Sequence, residues 1–476
     1  MFHYKQQVGR LNDPNGPCYW KGRYHLFYQH IYTDSIAWGH AVCTDLIHWE
    51  ELPDVILPVG RSKPGDAGYS GAESCWSGAV CVDDDRVVAV FYGHSNNPET
   101  CGLYVMAASD DMLCEWKNVT DGAAIPSVEK ASPANIAEEP VPFESVPYCN
   151  YPMLYDPCIW KEDGVFYVLS GGVDFNEHTG GVRRQEFLFE STDLVHWTYR
   201  HPMIAGEAYA HVGDDGACPY FAKWNDGKTP GEDHRLLLHF SHQLGPRYLM
   251  GVYDKETLKF TPYAGGLVQP VSKIDGYYVP ALFTGTPDGS MLAAYIMGGR
   301  GRPTVMSMVH CLERCGEHLE EIAVSPAVDI DALPCTRTPE SGEEKYIPLK
   351  GETTILKMHI GYAPENGHPV VNFHRKDGTV FGKLRLNVGQ GAGKRRNHVW
   401  RCDDIAVLNI EDRPDCAPPQ FVRIPRTEGV WNFTLVMDED ALEIFYPDAW
   451  SMGRRIYGDI DGMYLSIENG KIIETT

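Results

Sequence analysis

HAVCTDLIHWEE, residues 40–51, and EFLFESTDLVHWT, residues 186–198, hold nearly the same six residues, TDLIHW and TDLVHW. In both, a strand-forming run ends in Thr-Asp-Leu, one aliphatic residue, His and Trp. An aspartate so placed can accept bonds from the amides of its own turn, while the indole packs between neighbouring sheets. Looser copies of the plan are YVMAASDDMLCEWK (104–117) and YLMGVYDKETLKFT (248–261). Short aromatic or aliphatic strands precede them: YHLFYQH (24–30), VVAVFYGH (87–94), VFYVLSGG (165–172) and HRLLLHFSH (234–242). A fifth, SMLAAYIMGG (290–299), is read with TVMSMVHCLE (304–313) as its partner. Five such units at blade-sized spacing predict a five-bladed β-propeller around a central funnel, an arrangement that explains the regular spacing better than an array of sandwiches.

The texture changes after the fifth unit. SPAVDIDALPCTRTPESGEEKYIPLKG (325–351) is rich in proline and charge and reads as a linker. Beyond it TTILKMHIGY, VVNFHR, KLRLNV, IAVLNI, VWNFTLVMD, ALEIFYPD and GMYLSIEN alternate apolar and polar residues at sandwich-like intervals. The expected fold is therefore all-β: a five-bladed β-propeller over 1–324, a linker over 325–350 and a β-sandwich over 351–476.

Composition narrows the function. The 476 residues carry 41 basic and 65 acidic side chains, a formal charge of -24. Such a charge repels nucleic-acid phosphates and anionic membranes at long range, so neither is an expected partner. MFHYKQQVGR lacks the pattern of a secretory signal, and no apolar run approaches the length of a membrane span. Fourteen cysteines are scattered, several (Cys43, Cys75, Cys81) within apolar runs where a free thiol behaves as a small hydrophobe. The expectation is a soluble chain in a reducing, cytoplasmic compartment, with a secreted mature chain as the alternative and homo-oligomerisation left open.

Acids fall at the starts of blades, where they would point into one shared cavity. Asp13 stands in LNDPNG before the first blade, Asp156 in YPMLYDPCIW (151–160) before the third, and Asp214 and Asp215 in HVGDDGACPYF (211–221) before the fourth. Proline after Asp13 and Asp156 biases each aspartate toward an extended backbone and limits where its carboxylate can aim. One Asp-Pro alone would be a turn aspartate. Two in register with blades fit a carboxylate that must meet a carbon centre in fixed geometry. Asn12, Gln29, His30, Trp38, Ser77 and Tyr278 could bond or stack on a sugar ring, and Trp76 and Trp38 take funnel-side positions on this assignment. Together they suggest a carbohydrate pocket.

LNDPNG, YHLFYQ, WGHAVCTDLIHWEE (38–51), CWSGAV (75–80), YDP and the final sandwich, in that order, make the chain resemble glycoside hydrolase family 32. That family comprises invertases, inulinases, levanases and related fructosyltransferases. The resemblance implies a propeller followed by a sandwich and a retaining mechanism in which Asp13 forms a fructosyl-enzyme. It also implies that Asp156 stabilises the oxocarbenium-like transition state through fructose hydroxyls. Asn12, Gln29, Trp38, Trp76 and Ser77 would belong to the sugar site, with Tyr155 and Tyr278 beside them. Neither a metal nor another cofactor is called for.

Three positions depart from the family's pattern. Arg10 stands where a tryptophan is usual, Tyr155 replaces the arginine before the Asp156 motif, and GACP puts Ala217 in place of the glutamate that serves as general acid. Retaining hydrolysis needs a carboxyl that protonates the leaving group and then deprotonates water, about 5 Å from the nucleophile. Asp215, two residues before Ala217, leaves the same face of an extended strand but is displaced by about 6–7 Å along it. A bulge at Gly216 could bring Asp215 or Asp214 back. Asp215 is the expected acid/base, followed by Asp214 and then Glu207.

The leading reading is a β-fructosidase acting on sucrose, fructo-oligosaccharides or fructans. Transfer of fructose to a sugar acceptor is the enzymatic alternative. A carbohydrate-binding propeller whose acid has been lost is the non-catalytic one. HCLERCGEH (310–318) has zinc-ligand residue types but no second ligand pair at finger spacing and reads as a packed turn. GGRGRP (298–303) lacks the lysine and helix of a phosphate loop and reads as a blade connection with Arg300 or Arg302 at the rim. AGKRRNHVW (392–400) reads as a solvated sandwich loop.

Overall fold

The computed structural model describes residues 2–474 except 96, 98–99, 127–153, 177–180, 207–213, 269–274, 299–301, 351–352, 388–404, 413–418 and 426–428, and only the backbone at 172–176, 181–185 and 364. Glu207, Arg300 and the 392–400 loop lie outside the described residues.

Among the described residues, five successive antiparallel sheets occupy the first two thirds of the chain. From the inner strand outward the first runs Arg10–Pro14, Arg23–Ile31, Ile36–Cys43, Glu50–Ile56, and the second Ser74–Asp83, Arg86–His94, Gly102–Ala108, Ile125–Pro126. The third runs Tyr155–Glu162, Val165–Asn176, Gly181–Ser191, Thr198–Pro202, and the fourth Ala217–Lys223, His234–Ser241, Gly245–Asp254, Lys259–Leu267. The fifth runs Tyr277–Leu282, Met291–Met297, His310–Cys315, Glu321–Pro326. The aromatic segments read as opening each blade are thus the second strands. The inner strands precede them and contain Asp13 and Asp156, which the sequence placed just ahead of the blades.

The Asp turns behave as their chemistry predicts. Asp45 Oδ1 accepts from the amides of Ile47 and His48 at 3.0 and 2.8 Å, and Asp193 Oδ1 from Val195 and His196 at 2.9 and 2.8 Å. The leucine of each turn, Leu46, Leu113, Leu194 and Leu258, adopts a left-handed backbone with φ between 55° and 68°. A non-glycine residue there costs about 1–3 kcal/mol. The aspartate's bonds offset that cost, and so does the leucine side chain, which is buried in all four turns. Trp116 and Trp197 each donate their indole N–H to the carbonyl of that leucine, at 2.9 and 3.0 Å.

Two contacts close the ring. Tyr19 N–H donates to the carbonyl of Thr284 at 2.8 Å and Thr284 N–H to the carbonyl of Pro17 at 2.9 Å across the first and fifth blades, and Met306 of the fifth blade donates to the carbonyl of Tyr4 at 2.8 Å. Between the first two blades Phe27, Trp38, Phe91 and Trp116 form one buried cluster, each phenylalanine there being worth about 1.5–3 kcal/mol of burial.

Among the described residues the sandwich has two six-stranded sheets. Segment 325–350 is more than a linker. Glu321–Pro326 ends the fifth blade, Thr336–Arg337 pairs in parallel with Thr353–Gly361, and Ile347–Pro348 pairs with Tyr464–Glu468, so its short strands edge both sandwich sheets. Propeller and sandwich share a core in which Tyr277, Met297 and Met308 pack with Phe445 and Met452. Buried charges cross the same boundary: His3 bonds Asp438 at 3.0 Å and Glu443 at 2.9 Å, and Glu443 also bonds Tyr277 and His310. His310–Cys315 is a strand of the fifth blade rather than a packed turn. Among the described residues no group of three or more His, Cys, Asp or Glu side chains is placed to hold a metal ion.

Candidate active site

All five inner strands lose register with their neighbours: at 11–14, 75–78, 155–157, 217–220 and 277–280. The released residues are Asn12 and Asp13, Trp76 and Ser77, Asp156, Cys218 and Pro219, and Tyr278 and Val279. Four of the breaks contain or end on a proline (Pro14, Pro157, Pro219, Pro280), which cannot donate to the ladder. The other ends on Gly78, where a β-carbon would sit 2.0 Å from the carbonyl oxygen of Val90. Irregularities of this kind bend a strand and re-aim its side chains. At Asp156 and Cys218 the backbone turns left-handed, with φ of 42° and 47°.

Asp13 is held by a closed ring of hydrogen bonds. Asn12 Nδ2 donates to Asp13 Oδ1 and to Gln29 Oε1, both at 2.9 Å. Gln29 Nε2 donates to Ser77 Oγ at 2.7 Å, and Ser77 Oγ donates to Asp13 Oδ2 at 2.7 Å. Beneath the Pro-Asn-Gly turn, the Tyr220 hydroxyl accepts from Gly16 N at 2.8 Å and donates to the carbonyl of Pro14 at 3.1 Å. The turn is therefore pinned from the opposite blade. The carboxylate takes bonds from the side chains of Asn12 and Ser77, with its own backbone amide adding to them.

Asp156 reaches the same place from the third blade. Its Oδ2 accepts from Cys218 N at 3.2 Å, and the Cys218 thiol lies 3.5 Å from Asp156 Oδ2 and 3.8 Å from Asp13 Oδ2. Since one sulfur touches both, the two carboxylates share one hollow. Enclosure raises the pKa of Asp13. Burial first, and then the charge of Asp13, pushes Asp156 up to about 7. Two carboxylates this close resist double ionisation. Asp13 receives only donors and suits the ionised role, which leaves the proton on Asp156.

The fourth blade separates its two aspartates. Asp214 is buried, with Oδ2 2.5 Å from Arg247 Nη1 and 3.3 Å from His239 Nε2. Protonating it would strip a buried guanidinium of its counter-charge, a loss of about 3–5 kcal/mol, so this carboxylate suits a structural ion pair better than a cycling acid. Gly216 is left-handed (φ 60°), but the register break falls one step later and turns Cys218, not Asp215, toward the carboxylates. Asp215 is half-buried and clasps His242, accepting from its amide at 3.0 Å and meeting its Nδ1 at 2.5 Å. Tyr155 donates its hydroxyl to the carbonyl of Asp215.

The aromatic candidates divide. Trp76 is 37% exposed on an inner strand and stacks on His94 at 4.8 Å. Trp38 is not funnel-facing: it is fully buried in the third strand of the first blade and donates its indole N–H to the carbonyl of Trp76 at 2.8 Å. Tyr278 packs on Phe240 at 4.6 Å, and its hydroxyl feels the charges of Asp13, Arg10 and Asp215. Sequence reading missed His242 and the thiol of Cys218. The signals were the histidine ending HRLLLHFSH and the cysteine of GACP.

The model of the Glycosyl hydrolases family 32 N-terminal domain matches residues 3–299. The chain belongs to glycosyl hydrolase family 32. Among family relatives, a beta-fructofuranosidase, insoluble isoenzyme, of Arabidopsis thaliana is 30% identical over 276 residues, 55% of this chain and 45% of that protein. The chain thus spans about half the length of the curated relatives it matches. The fold matches fructan 1-exohydrolase IIa from Cichorium intybus with a TM-score of 0.70, at 18% identity over 99% of this chain and 95% of the other. It also matches a family 32 beta-fructofuranosidase of Bombyx mori with a TM-score of 0.67, at 20% identity over 99% and 91%. These two likenesses concern the fold.

Proposed function

We propose that this chain hydrolyses β-fructofuranosidic bonds in sucrose, fructo-oligosaccharides or fructans with retention of configuration. Asp13 is the nucleophile and forms a fructosyl ester at the anomeric carbon, which water then hydrolyses. Asp156 lies across the hollow and bonds fructose hydroxyls as positive charge develops on the ring. Asn12, Gln29 and Ser77 fix the direction of attack, while Trp76 and Tyr278 border the sugar. The observation that carries this reading is the convergence of Asp13 and Asp156 on the Cys218 thiol, with Asp13 oriented by donors from two blades. Family membership and the names of the relatives support the fructoside as substrate class.

Asp13→Asn tests it. Turnover of sucrose, inulin and levan should fall by several orders of magnitude. In the parent chain, rapid quenching and mass spectrometry should find a hexose adduct on the peptide carrying Asp13. Undiminished turnover in the variant, or an adduct elsewhere, would end the proposal.

A further inference from the structure

Ala217 leaves the fourth blade without a carboxylic acid at the position where the family resemblance implies one. We propose that His242, oriented by Asp215, is the general acid/base of this protein, an inference that rests on the covalent mechanism above.

His242 follows the second strand of the fourth blade, in the hairpin beside the bulged end of the inner strand, since Ala217 pairs with Phe240. Its position is fixed on three sides. Ser241 Oγ accepts from the amides of Gln243 and Leu244 at 3.3 and 3.1 Å and shapes the turn. Phe240 packs edge-on against the imidazole at 5.1 Å. Asp215 takes both the amide and Nδ1 of His242, and Tyr155 anchors the Asp215 carbonyl. An imidazole bonded to a carboxylate through Nδ1 carries its other nitrogen, Nε2, outward in a defined tautomer. The ring is also half exposed, as a group that must meet both leaving group and water has to be.

Asp156 and Asp13, like Asp215, lie near enough to act on the charge of this imidazole. The bond from Asp215, which leads these influences, raises the pKa of His242, so the ring can arrive protonated. Asp214, by contrast, is committed to Arg247. As the glycosidic bond breaks, the proton on His242 Nε2 passes to the departing oxygen while a carboxylate oxygen of Asp13 bonds to the anomeric carbon. In the second half the neutral Nε2 takes a proton from water, the water oxygen bonds to that carbon, and the ester to Asp13 breaks. The imidazolium is regenerated. Asp215 is a positioning residue that never leaves the imidazole.

The experiment compares the parent chain, His242→Gln, Asp215→Asn and Asp13→Asn on sucrose, inulin, levan and β-fructofuranosyl fluoride, whose leaving group needs no proton. His242→Gln should lose on the order of 10²–10⁴-fold on whichever fructoside the parent cleaves. It should retain most of its bond-breaking step on the fluoride and regain turnover with azide, giving fructosyl azide. Activity on the fluoride also shows that the variant is folded. Asp215→Asn should shift the alkaline limb of kcat/KM to lower pH, a change that a merely structural role would not cause. His242→Gln within threefold of the parent on a fructoside, or a parent that turns over the fluoride but no fructoside, overturns the inference. Should Asp13→Asn keep activity on both substrate types, the covalent mechanism itself falls; loss in Asp13→Asn with none in His242→Gln removes only the role of His242.

Discussion

Asp156→Asn should make this protein more stable above neutral pH while impairing catalysis. The carboxyl titrates at about 7 in the folded chain against an ordinary value of 3.8, with burial the first cause and the charge of Asp13 the second. Between those values the folded chain holds a proton that the unfolded chain has released, so stability falls as pH rises through the window. Three pH units at about 1.4 kcal/mol each amount to about 4 kcal/mol lost by pH 8. Asparagine keeps an oxygen for the Cys218 amide and offers an N–H toward Asp13 without carrying charge. With an unfolding entropy of about 2.1 cal/mol/K per residue over the five sheets ending at Pro326, the gain is about 6 °C in the propeller's melting midpoint. Calorimetry of parent and variant at pH 4 and pH 8 measures it: midpoints should coincide near pH 4 and separate at pH 8. A variant equally stable or less stable at pH 8, or one with the same gain at both pH values, would refute the reasoning.

The clamp between propeller and sandwich should titrate in alkaline solution. Burial opposes the charge on His3, but its bonds to Asp438 and Glu443 prevail and hold its pKa at about 9 against 6.5, so stability is full below pH 6.5 and declines by about 3 kcal/mol toward pH 9. His3→Gln should flatten that dependence in urea midpoints taken at pH 6.5 and pH 9. Gly16→Ala should destabilise the chain by at least about 1–3 kcal/mol, because φ is 53° there and the new β-carbon would meet the Val80 amide nitrogen at 2.0 Å. It should also lower kcat/KM by tilting the turn under Asp13. A melting curve and a fructoside assay read the two effects.

The blades were legible because their outer turns repeat a local chemical unit. An aspartate capping its own turn and a tryptophan closing it are properties of six consecutive residues, visible without tertiary structure. The inner strands were not legible in the same way. LNDP, SCWSG, YDPC, ACPY and YYVP break alternation just where the ladder breaks, so in the sequence the regular second strands look like the first. Asp13 and Asp156 could be found through their prolines, which are part of what releases them from the ladder. Trp38 was misplaced because its exposure depends on the second blade, whose Trp76 carbonyl receives its indole. His242 escaped because its partner is 27 residues away and a hairpin histidine has no distinctive neighbours. The edge strands Thr336–Arg337 and Ile347–Pro348 are two residues long, too short for any periodicity to show.

The shared register break also says how this scaffold can change its reactivity. Side chains released from a ladder leave the backbone bonds of the sheets to their neighbours, so exchanging one of them alters what the hollow can do while the ladders around it stay in place. Loss of an acid from one blade and recruitment of a group from the adjoining hairpin is then a short evolutionary step. A designer could take the same step, treating the five breaks as sockets on a frame that tolerates new occupants.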